Sequence, residues 1–282
     1  MKAPIAWIFI GAFLAFSALF LVAPSAMLAV QSVFDDDGNL TTQFFEALGA
    51  YRYTVAFEHS LYLSVASATV GVIAGALIAF AVLKPDAPSR LRTVVTSFSA
   101  VAANFAGVPL AFSFISTIGS LGLLTGLLKR TGIDIYDLGF SLFSIPGLTI
   151  VYSYFQIPLM VIIITPAFEA LRPAWREAAE NLGATPGQFW RLVGLPVLMP
   201  SLLSGWILLF GSAFSAYGTA YALTSGNIGL VTTEISAVLS GNVTSEPQVG
   251  AALSIGMIVV MVIVLALSSL LAARAARWTV KS

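Results

Sequence analysis

The side chains that carry most enzyme chemistry are scarce in this sequence. It has no cysteine and one histidine, His59. A thiol nucleophile and a thiolate metal site are therefore excluded, and a single histidine cannot form the H-E-x-x-H zinc pattern. Gly126 precedes Lys129 without the spacing of a phosphate-binding loop. We expect a protein that is not an enzyme and holds no cofactor of its own.

Two polar features leave alternatives open. His59 is either a pH-sensitive contact with another protein or an exposed residue at a membrane edge. The acidic run Asp35, Asp36 and Asp37 either attracts a cationic substrate or forms a solvated turn. Asp37 is followed by Gly38 and then Asn39, which is a typical turn sequence.

The most distinctive polar segment covers residues 173–195, between two apolar stretches. Pro173 suits the first turn of a helix, where its missing N–H costs nothing. Gly183 stands where a left-handed residue would end that helix. Between them an apolar stripe recurs at helical spacing, formed by Trp175, Ala178, Ala179 and Leu182. We predict a short amphipathic helix that ends in a turn at Gly183.

A second short helix is predicted after this turn. Thr185, Pro186 and Gln188 supply a cap, a proline in the first position and the glutamine of a capping box. Pro196 disfavours helix in the residue before it, so we expect the second helix to end by Leu195. Two capped helices with large aromatic side chains need a covering surface, either the protein's own helix ends or a partner protein.

Composition places the elements around this segment in a membrane. Hydrophobic residues make up 58% of the chain and charged residues 9%, against about 25% charged in a typical soluble domain. The formal net charge is zero, so nothing indicates nucleic acid as a partner. Several apolar runs reach the roughly 20 residues that cross a bilayer as a helix. We predict an all-α polytopic protein that forms one lipid-embedded domain over residues 1–282.

Six spans are predicted, and the first apolar run is too long for the core of a signal peptide. Their approximate ranges are 5–30, 60–83, 94–118, 144–170, 195–223 and 248–272. The third is interrupted by Asn104 and Pro109. We expect 119–145 to be an external loop with a short surface helix at 121–129, and a re-entrant element at 119–128 is the alternative.

The distribution of lysine and arginine predicts the orientation of these spans. With a cytoplasmic N-terminus, ten of the 13 basic residues face the cytoplasm. The three on the other side are Arg52, Lys129 and Arg130. An even number of spans also returns the basic C-terminal tail to the cytoplasm. We therefore predict that both termini and the segment 173–195 are cytoplasmic.

At this point the residues resemble a known family, the permease subunits of binding-protein-dependent type I ABC importers. That family carries a cytoplasmic signature of E-A-A, three residues, Gly, nine residues, Ile, one residue and Leu-Pro. This chain has Glu177-Ala178-Ala179, then Gly183, then Val193 in place of Ile, then Leu195-Pro196. The position before the fifth of six spans also matches. The resemblance implies the type I importer permease fold in a bacterial inner membrane.

The resemblance also implies partners. The segment 173–195 would dock on a separate ATPase, and two such subunits would bind ATP and Mg. Glu177 would pair with a basic group of the ATPase, while Ala178 and Ala179 would allow close approach. Gly183 would make the turn, and the start of span five would be set by Leu195 and Pro196. A second, non-identical permease and an extracytoplasmic binding protein would complete the importer.

The layout is most similar to the group that transports polyamines, ferric iron and phosphonates, through its long first external loop and the run from Pro166 to Ala179. A small polar or charged solute of that kind is the expected substrate. Polar residues in spans three to five are the candidates for lining the pathway. The main ones are Asn104, Tyr152, Gln156, Ser212 and Tyr217.

Two other classes of protein are alternatives to an importer permease. A secondary active transporter would need inverted repeats and, in many cases, charged groups near the membrane midplane, and neither is evident. An intramembrane protease would need a serine with histidine, paired aspartates or H-E-x-x-H inside the membrane. His59 lies at a span end, and the spans contain no central aspartate.

Overall fold

The computed structural model describes residues 3–35, 37–84, 87–240 and 246–279. Within these ranges the chain is helical, with no strand and an isolated bridge between Phe34 and Leu40. The α-helices, numbered in chain order, are α1 Ala3–Ser17, α2 Ala23–Gln31, α3 Gln43–Ala47, α4 Tyr51–Val82, α5 Ser89–Ala102, α6 Val108–Ile118, α7 Leu123–Arg130, α8 Ile145–Glu169, α9 Pro173–Asn181, α10 Pro186–Phe189, α11 Leu195–Phe214, α12 Gly218–Thr224, α13 Val231–Leu239 and α14 Pro247–Thr279. The π-helical segments Ala18–Val22 and Trp190–Gly194 join α1 to α2 and α10 to α11.

The predicted all-α fold with six spans is confirmed. Six helical segments of the described chain are long and apolar enough to cross a membrane: Phe9–Gln31, Tyr51–Val82, Val108–Arg130, Ile145–Glu169, Pro186–Phe214 and Pro247–Leu271. The second begins at Tyr51. The prediction placed its start at 60 because the first two turns of this helix carry polar residues such as Arg52 and Glu58. Hydropathy marks where a helix is apolar, whereas the helix itself ends where its hydrogen bonding ends.

The third predicted span, 94–118, differs from the structure. α5 ends at Ala102 and α6 begins at Val108, so the range is two helices and not one. Gly107 has a φ of +77° at the break, a conformation that only glycine adopts readily. α6 and α7 together form the apolar segment Val108–Arg130, which takes in the short helix predicted at 121–129.

The fifth predicted span, 195–223, also differs. α11 ends at Phe214, and residues 215–217 separate it from α12. At the other end the apolar helical segment starts at Pro186, inside the predicted polar segment. The break between α5 and α6 and the break between α11 and α12 both lie close to candidate functional residues.

The centre of the fold is the contact between α4 and α8. Small residues on one face of α4, among them Ser60, Ser64, Ser67, Gly71 and Gly75, are buried. A Cβ added to Gly71 would lie 2.5 Å from Leu209 Cδ2, and one added to Gly75 would lie 2.6 Å from Met160 Cβ. Small residues allow membrane helices to approach closely. α4 therefore packs against α8 and α11 without room for a larger side chain.

We predict that Gly75→Val prevents assembly of this helix contact. The added atoms would meet Met160 Cβ and the Ile157 carbonyl, which lies 2.8 Å from the Cβ position. Overpacking of this kind costs about 1–3 kcal/mol, so the thermal unfolding temperature of the purified protein in detergent should fall. The matched control is Gly126→Ala, because nothing lies within 4 Å of its Cβ position. Equal stability of the two variants would contradict the packing argument.

Candidate coupling site and translocation surface

The turn at Gly183 is built as the sequence predicts. Gly183 has a φ of +80° and its N–H donates to the Glu180 carbonyl at 2.9 Å, while the Ala184 N–H donates to the Ala179 carbonyl at 2.9 Å. These two bonds form a Schellman motif, which satisfies carbonyl groups that the end of α9 would otherwise leave unpaired. The chain therefore reverses sharply between α9 and α10.

The predicted capping box at the start of α10 is also present. Thr185 Oγ1 accepts a hydrogen bond from the Gln188 N–H at 3.3 Å, and Gln188 Oε1 accepts from the Thr185 N–H at 2.7 Å. Each side chain satisfies a backbone donor that the first turn of a helix leaves unpaired. The two motifs together give the segment 173–195, here called the coupling segment, a defined backbone.

The second helix does not end by Leu195, which corrects the expectation from Pro196. The π segment Trp190–Gly194 leads directly into α11, and the Leu195 N–H donates to the Trp190 carbonyl. A proline removes one helical hydrogen bond and crowds the preceding turn, while a π segment widens that turn by one residue. The helix therefore continues through Pro196, and the coupling segment is joined to span five without a loop.

One side of the coupling segment is exposed and apolar. Leu182 is 88% exposed at the turn, and Leu192 and Leu195 are also exposed. Glu177 and Ala178 lie on the exposed surface of α9, and Ala179 is half-buried. Arg176 Nε pairs with Glu180 Oε1 at 2.9 Å along the same helix. This surface therefore combines exposed leucine side chains with charged groups at its edge.

The other side of the coupling segment is anchored to the membrane helices. Phe189 is buried, and the Trp190 ring meets the Phe80 ring edge to face at a centroid distance of 5.0 Å. Lys84 Nζ lies 4.9 Å from the centroid of the same Phe80 ring. A Cβ on Gly194 would lie 2.5 Å from Trp190 Cε3, so Gly194 makes room for the indole. The coupling segment is therefore held at the last turn of α4.

Two of the predicted pathway residues are not exposed at all. Gln156 is fully buried, and its Nε2 donates to Ser67 Oγ at 3.2 Å and to the Leu209 carbonyl at 3.3 Å. Tyr152 is fully buried, and its hydroxyl donates to the Ala216 carbonyl at 3.0 Å. Each donor finds an acceptor outside its own helix, while Gln156 Oε1 has no hydrogen-bond partner among the described residues. These two residues join separate parts of the fold, and a place for them on the pathway stays a prediction.

The other three pathway candidates lie at or near the helix breaks. Asn104 is exposed just after α5, and its side chain donates to the Ala100 carbonyl at 2.8 Å. Tyr217 is exposed between α11 and α12 and stacks on Tyr221 at a centroid distance of 5.3 Å. Ser212 is half-buried on α11.

The two helix breaks contact one another. The Gly107 N–H donates to Thr219 Oγ1 at 2.8 Å, and a Cβ on Gly218 would lie 3.7 Å from Gly107 Cα. This contact brings the α5–α6 break against the start of α12. The exposed polar side chains at the two breaks, here called the break surface, are Asn104, Ser215, Tyr217 and Tyr221.

Sequence reasoning placed Trp190 among the large aromatic residues of the second helix but did not predict its contact with Phe80, and it gave Thr219 no role. Aromatic residues at a span end read as interfacial anchors, and a threonine in an apolar run carries no pairing signal. His59 is half-buried, and its Nδ1 lies 3.2 Å from the Gly229 carbonyl, so it contacts the protein's own backbone. Asp35 Oδ1 accepts from the Asn39 N–H at 2.7 Å, as expected of a turn; Asp36 lies outside the described residues.

Comparison with known families identifies the chain. Residues 89–281 match the family of binding-protein-dependent transport system inner membrane components. The chain belongs to this family, whose members are the permease subunits of ABC importers in the bacterial inner membrane. The matched range includes the coupling segment and both helix breaks. The contacts described for them therefore lie within the part of the chain that matches the family.

Individual relatives are distant. The molybdenum transport system permease protein ModB of Mycobacterium bovis is 28% identical over 56% of this chain and 56% of its own length. The spermidine/putrescine transport system permease protein PotC homolog of Mycoplasma genitalium is 28% identical over 69% of this chain and 62% of its own length. The chain therefore spans little more than half the length of these relatives.

A solved structure shows the same fold. A chain from a bacterial ABC transporter involved in import of the acidic polysaccharide alginate superposes with a TM-score of 0.77 at 18% identity, over 97% of this chain and 96% of that one. The likeness extends across all six apolar segments and confirms the type I importer permease fold.

We predict that Gly183→Ala loosens the coupling segment without unfolding the protein. Nothing lies within 4 Å of the Cβ position, so the cost is the left-handed backbone alone, about 1 kcal/mol. Hydrogen exchange of the peptide around Ala184 should be about fivefold faster, since local opening becomes easier by that amount.

The control is Gly187→Ala, which also has an open Cβ position but lies within α10. Alanine favours a helix over glycine, so exchange there should slow or stay unchanged. Faster exchange in both variants would show that the φ of Gly183 is not the cause.

Proposed function

We propose that this chain is one permease half of an ATP-driven importer and that its coupling segment receives the motion of a separate ATPase. The observation that carries the proposal is the construction of the coupling segment. On one side of the segment, Leu182 and other leucines are exposed. On the other side, Phe189 and Trp190 anchor the segment to the membrane helices. A rigid element with an uncovered apolar face is suited to fill a groove in a partner.

The individual residues take roles in this proposal. Glu177, exposed on α9, pairs with a basic group of the ATPase, and the small side chains of Ala178 and Ala179 allow the two surfaces to approach. Gly183 sets the angle between α9 and α10. Leu195 and Pro196 pass the motion into α11, because the helix is continuous through them. ATP and Mg are bound by the two ATPase subunits and not by this chain.

The break surface is the proposed wall of the translocation pathway. Discontinuous helices bring backbone polar groups to a pathway in many transporters, and here two breaks meet at Gly107 and Thr219. The exposed groups at the breaks are hydroxyls and an amide, without a charged side chain among them. Such a wall passes a small polar or ionic solute and leaves most selectivity to an extracytoplasmic binding protein.

A second permease subunit faces this wall and completes the pathway. A non-identical partner is proposed on the likeness to the polyamine-type layout. The names of the two relatives above refer to molybdenum and to spermidine/putrescine, which differ in charge and size. A polyamine is therefore one member of the proposed substrate class and molybdate is another.

We predict that Leu182→Asp abolishes coupling. A charge at the apex of the coupling segment would be buried without a partner on docking, and loss of a hot-spot residue costs at least about 2 kcal/mol, or roughly thirtyfold in affinity. The ATPase should no longer co-purify with the permease, and ATP-dependent uptake of molybdate or spermidine into proteoliposomes should fall to background.

The matched control is Leu138→Asp, at a leucine that is 78% exposed in the loop between α7 and α8. It should retain the ATPase and its transport activity. If Leu182→Asp transports normally, the coupling segment is not the docking element. If the chain transports either probe without ATPase subunits, it is a secondary transporter instead.

We predict that two single-cysteine variants are labelled from opposite sides of the membrane. The natural chain has no cysteine, so only the introduced residue can react. Leu182→Cys should react with a membrane-impermeant maleimide only in inside-out vesicles, and bound ATPase should protect it. Leu138→Cys, at a residue that is 78% exposed in the loop between α7 and α8, should not react in those vesicles. Labelling of Leu182→Cys from the periplasmic side would refute the cytoplasmic placement of the coupling segment.

A further inference from the structure

A buried carboxylate outside the coupling segment joins two distant parts of the chain. Glu234 in the first turn of α13 has a side chain that is 8% exposed, and Arg52 Nε at the start of α4 lies 2.5 Å from its Oε2. Glu234 Oε2 has no hydrogen-bond partner among the described residues, so its contact with Arg52 is an ion pair. Removing one partner of such a pair leaves a buried charge uncompensated, which is costly.

Two further contacts hold the same segment to α4. Ser60 Oγ accepts a hydrogen bond from the Val231 N–H at 2.9 Å in a buried environment. His59 Nδ1 lies 3.2 Å from the Gly229 carbonyl. His59 and Ser60 are about two helical turns beyond Arg52, so the three side chains lie on one face of α4. Together these contacts form a clamp that fastens the start of α13 to α4.

The opposite face of α13 contacts the break surface. Ser236 Oγ donates a hydrogen bond to the Tyr217 hydroxyl at 3.0 Å. Ser236 is two residues after Glu234, which corresponds to a rotation of about 200° around the helix. α13 therefore lies between the clamp on one side and Tyr217 on the other. Tyr217 in turn stacks on Tyr221, and both rings are exposed.

We propose that Glu234 is a positioning residue for Tyr217. Its ion pair with Arg52 fixes the rotation and height of α13 on α4, and Ser236 then sets the place of the Tyr217 ring on the break surface. α4 is a firm support for this arrangement because Gly71 and Gly75 pack it against its neighbours without spare room. The importance of Tyr217 for transport rests on the proposed function of the break surface.

The positioning itself can be tested without measuring transport. Ser215→Cys is a conservative reporter at an exposed position on the break surface, and the chain holds no other cysteine. In the assembled complex, Glu234→Gln, Ser236→Ala and Tyr217→Phe should each change the rate of maleimide labelling of this reporter. The expected change is at least about threefold, within the range of couplings between contacting residues.

The three changes act on one chain of contacts, so combining them should add little. Glu234→Gln with Tyr217→Phe should label at nearly the rate of the stronger single variant. The exchange Arg52→Glu with Glu234→Arg should restore the natural rate, because it rebuilds the ion pair with reversed charges. An unchanged rate in Glu234→Gln, or effects that multiply in the double variant, would overturn the proposal.

The matched control breaks another ion pair of the chain. Asp134 Oδ2 pairs with Lys129 Nζ at 2.9 Å, and this hydrogen bond holds the pKa of Asp134 below its usual range. Asp134→Asn should leave the labelling rate of the reporter unchanged. If Glu234→Gln fails to reach the membrane, Ser236→Ala still tests the proposal. This variant removes only the hydrogen bond between Ser236 and the Tyr217 hydroxyl.

A transport readout then separates this inference from the proposed function. In the importer with its ATPase, second permease and binding protein, Glu234→Gln should lower binding-protein-stimulated ATP hydrolysis on the order of tenfold and leave basal hydrolysis unchanged. Stimulated hydrolysis at the natural level together with a changed labelling rate would show that the position of Tyr217 does not control transport. A natural complex without ATP-linked uptake would refute the proposed function, while the labelling result would still judge the positioning of Tyr217.

Discussion

The close approach of α4 to α8 and α11 is the contact on which the rest of the structure depends. Glycine and serine on one face of α4 bring the helices together until Gly75 has Met160 as its immediate neighbour. In a bilayer, packing of this kind replaces the hydrophobic effect as the source of association between helices. The two ends of α4 then serve as supports. The Phe80 end holds the coupling segment, and the Arg52 end holds α13.

Under the proposed function the coupling segment is a docking element, which has to be rigid as well as apolar. Covering an exposed leucine contributes about 1.5–3 kcal/mol, but a flexible segment would lose part of that gain in becoming ordered. This segment is already ordered before docking, so little of that gain is lost. It is held by the Schellman motif at Gly183, the capping box at Thr185 and the Trp190–Phe80 contact. The π segment before Pro196 joins the coupling segment to α11 without a flexible loop.

Polar groups inside the membrane divide into two sets by what they contact. Gln156 and Tyr152 are fully buried and donate to backbone carbonyls in or just after α11, so they join α8 to that part of the fold. Asn104 and Tyr217 lie at breaks where helical hydrogen bonding is interrupted, and they remain exposed. An amide or a phenol in a span therefore has no single meaning. Its role depends on whether the neighbouring parts of the fold bury it.

Local signals in the sequence were sufficient for the membrane class, the six spans, the turn at Gly183 and the capping box, because each depends on residues within a few positions of one another. The family signature around Glu177 also lies within one short segment. The tertiary structure alone decided which polar residues are buried, that the helix continues through Pro196, and that the helix breaks meet at Gly107 and Thr219. It also paired Arg52 with Glu234. Contacts between residues so far apart in the chain depend on how whole helices pack, and no local pattern of side chains records that packing.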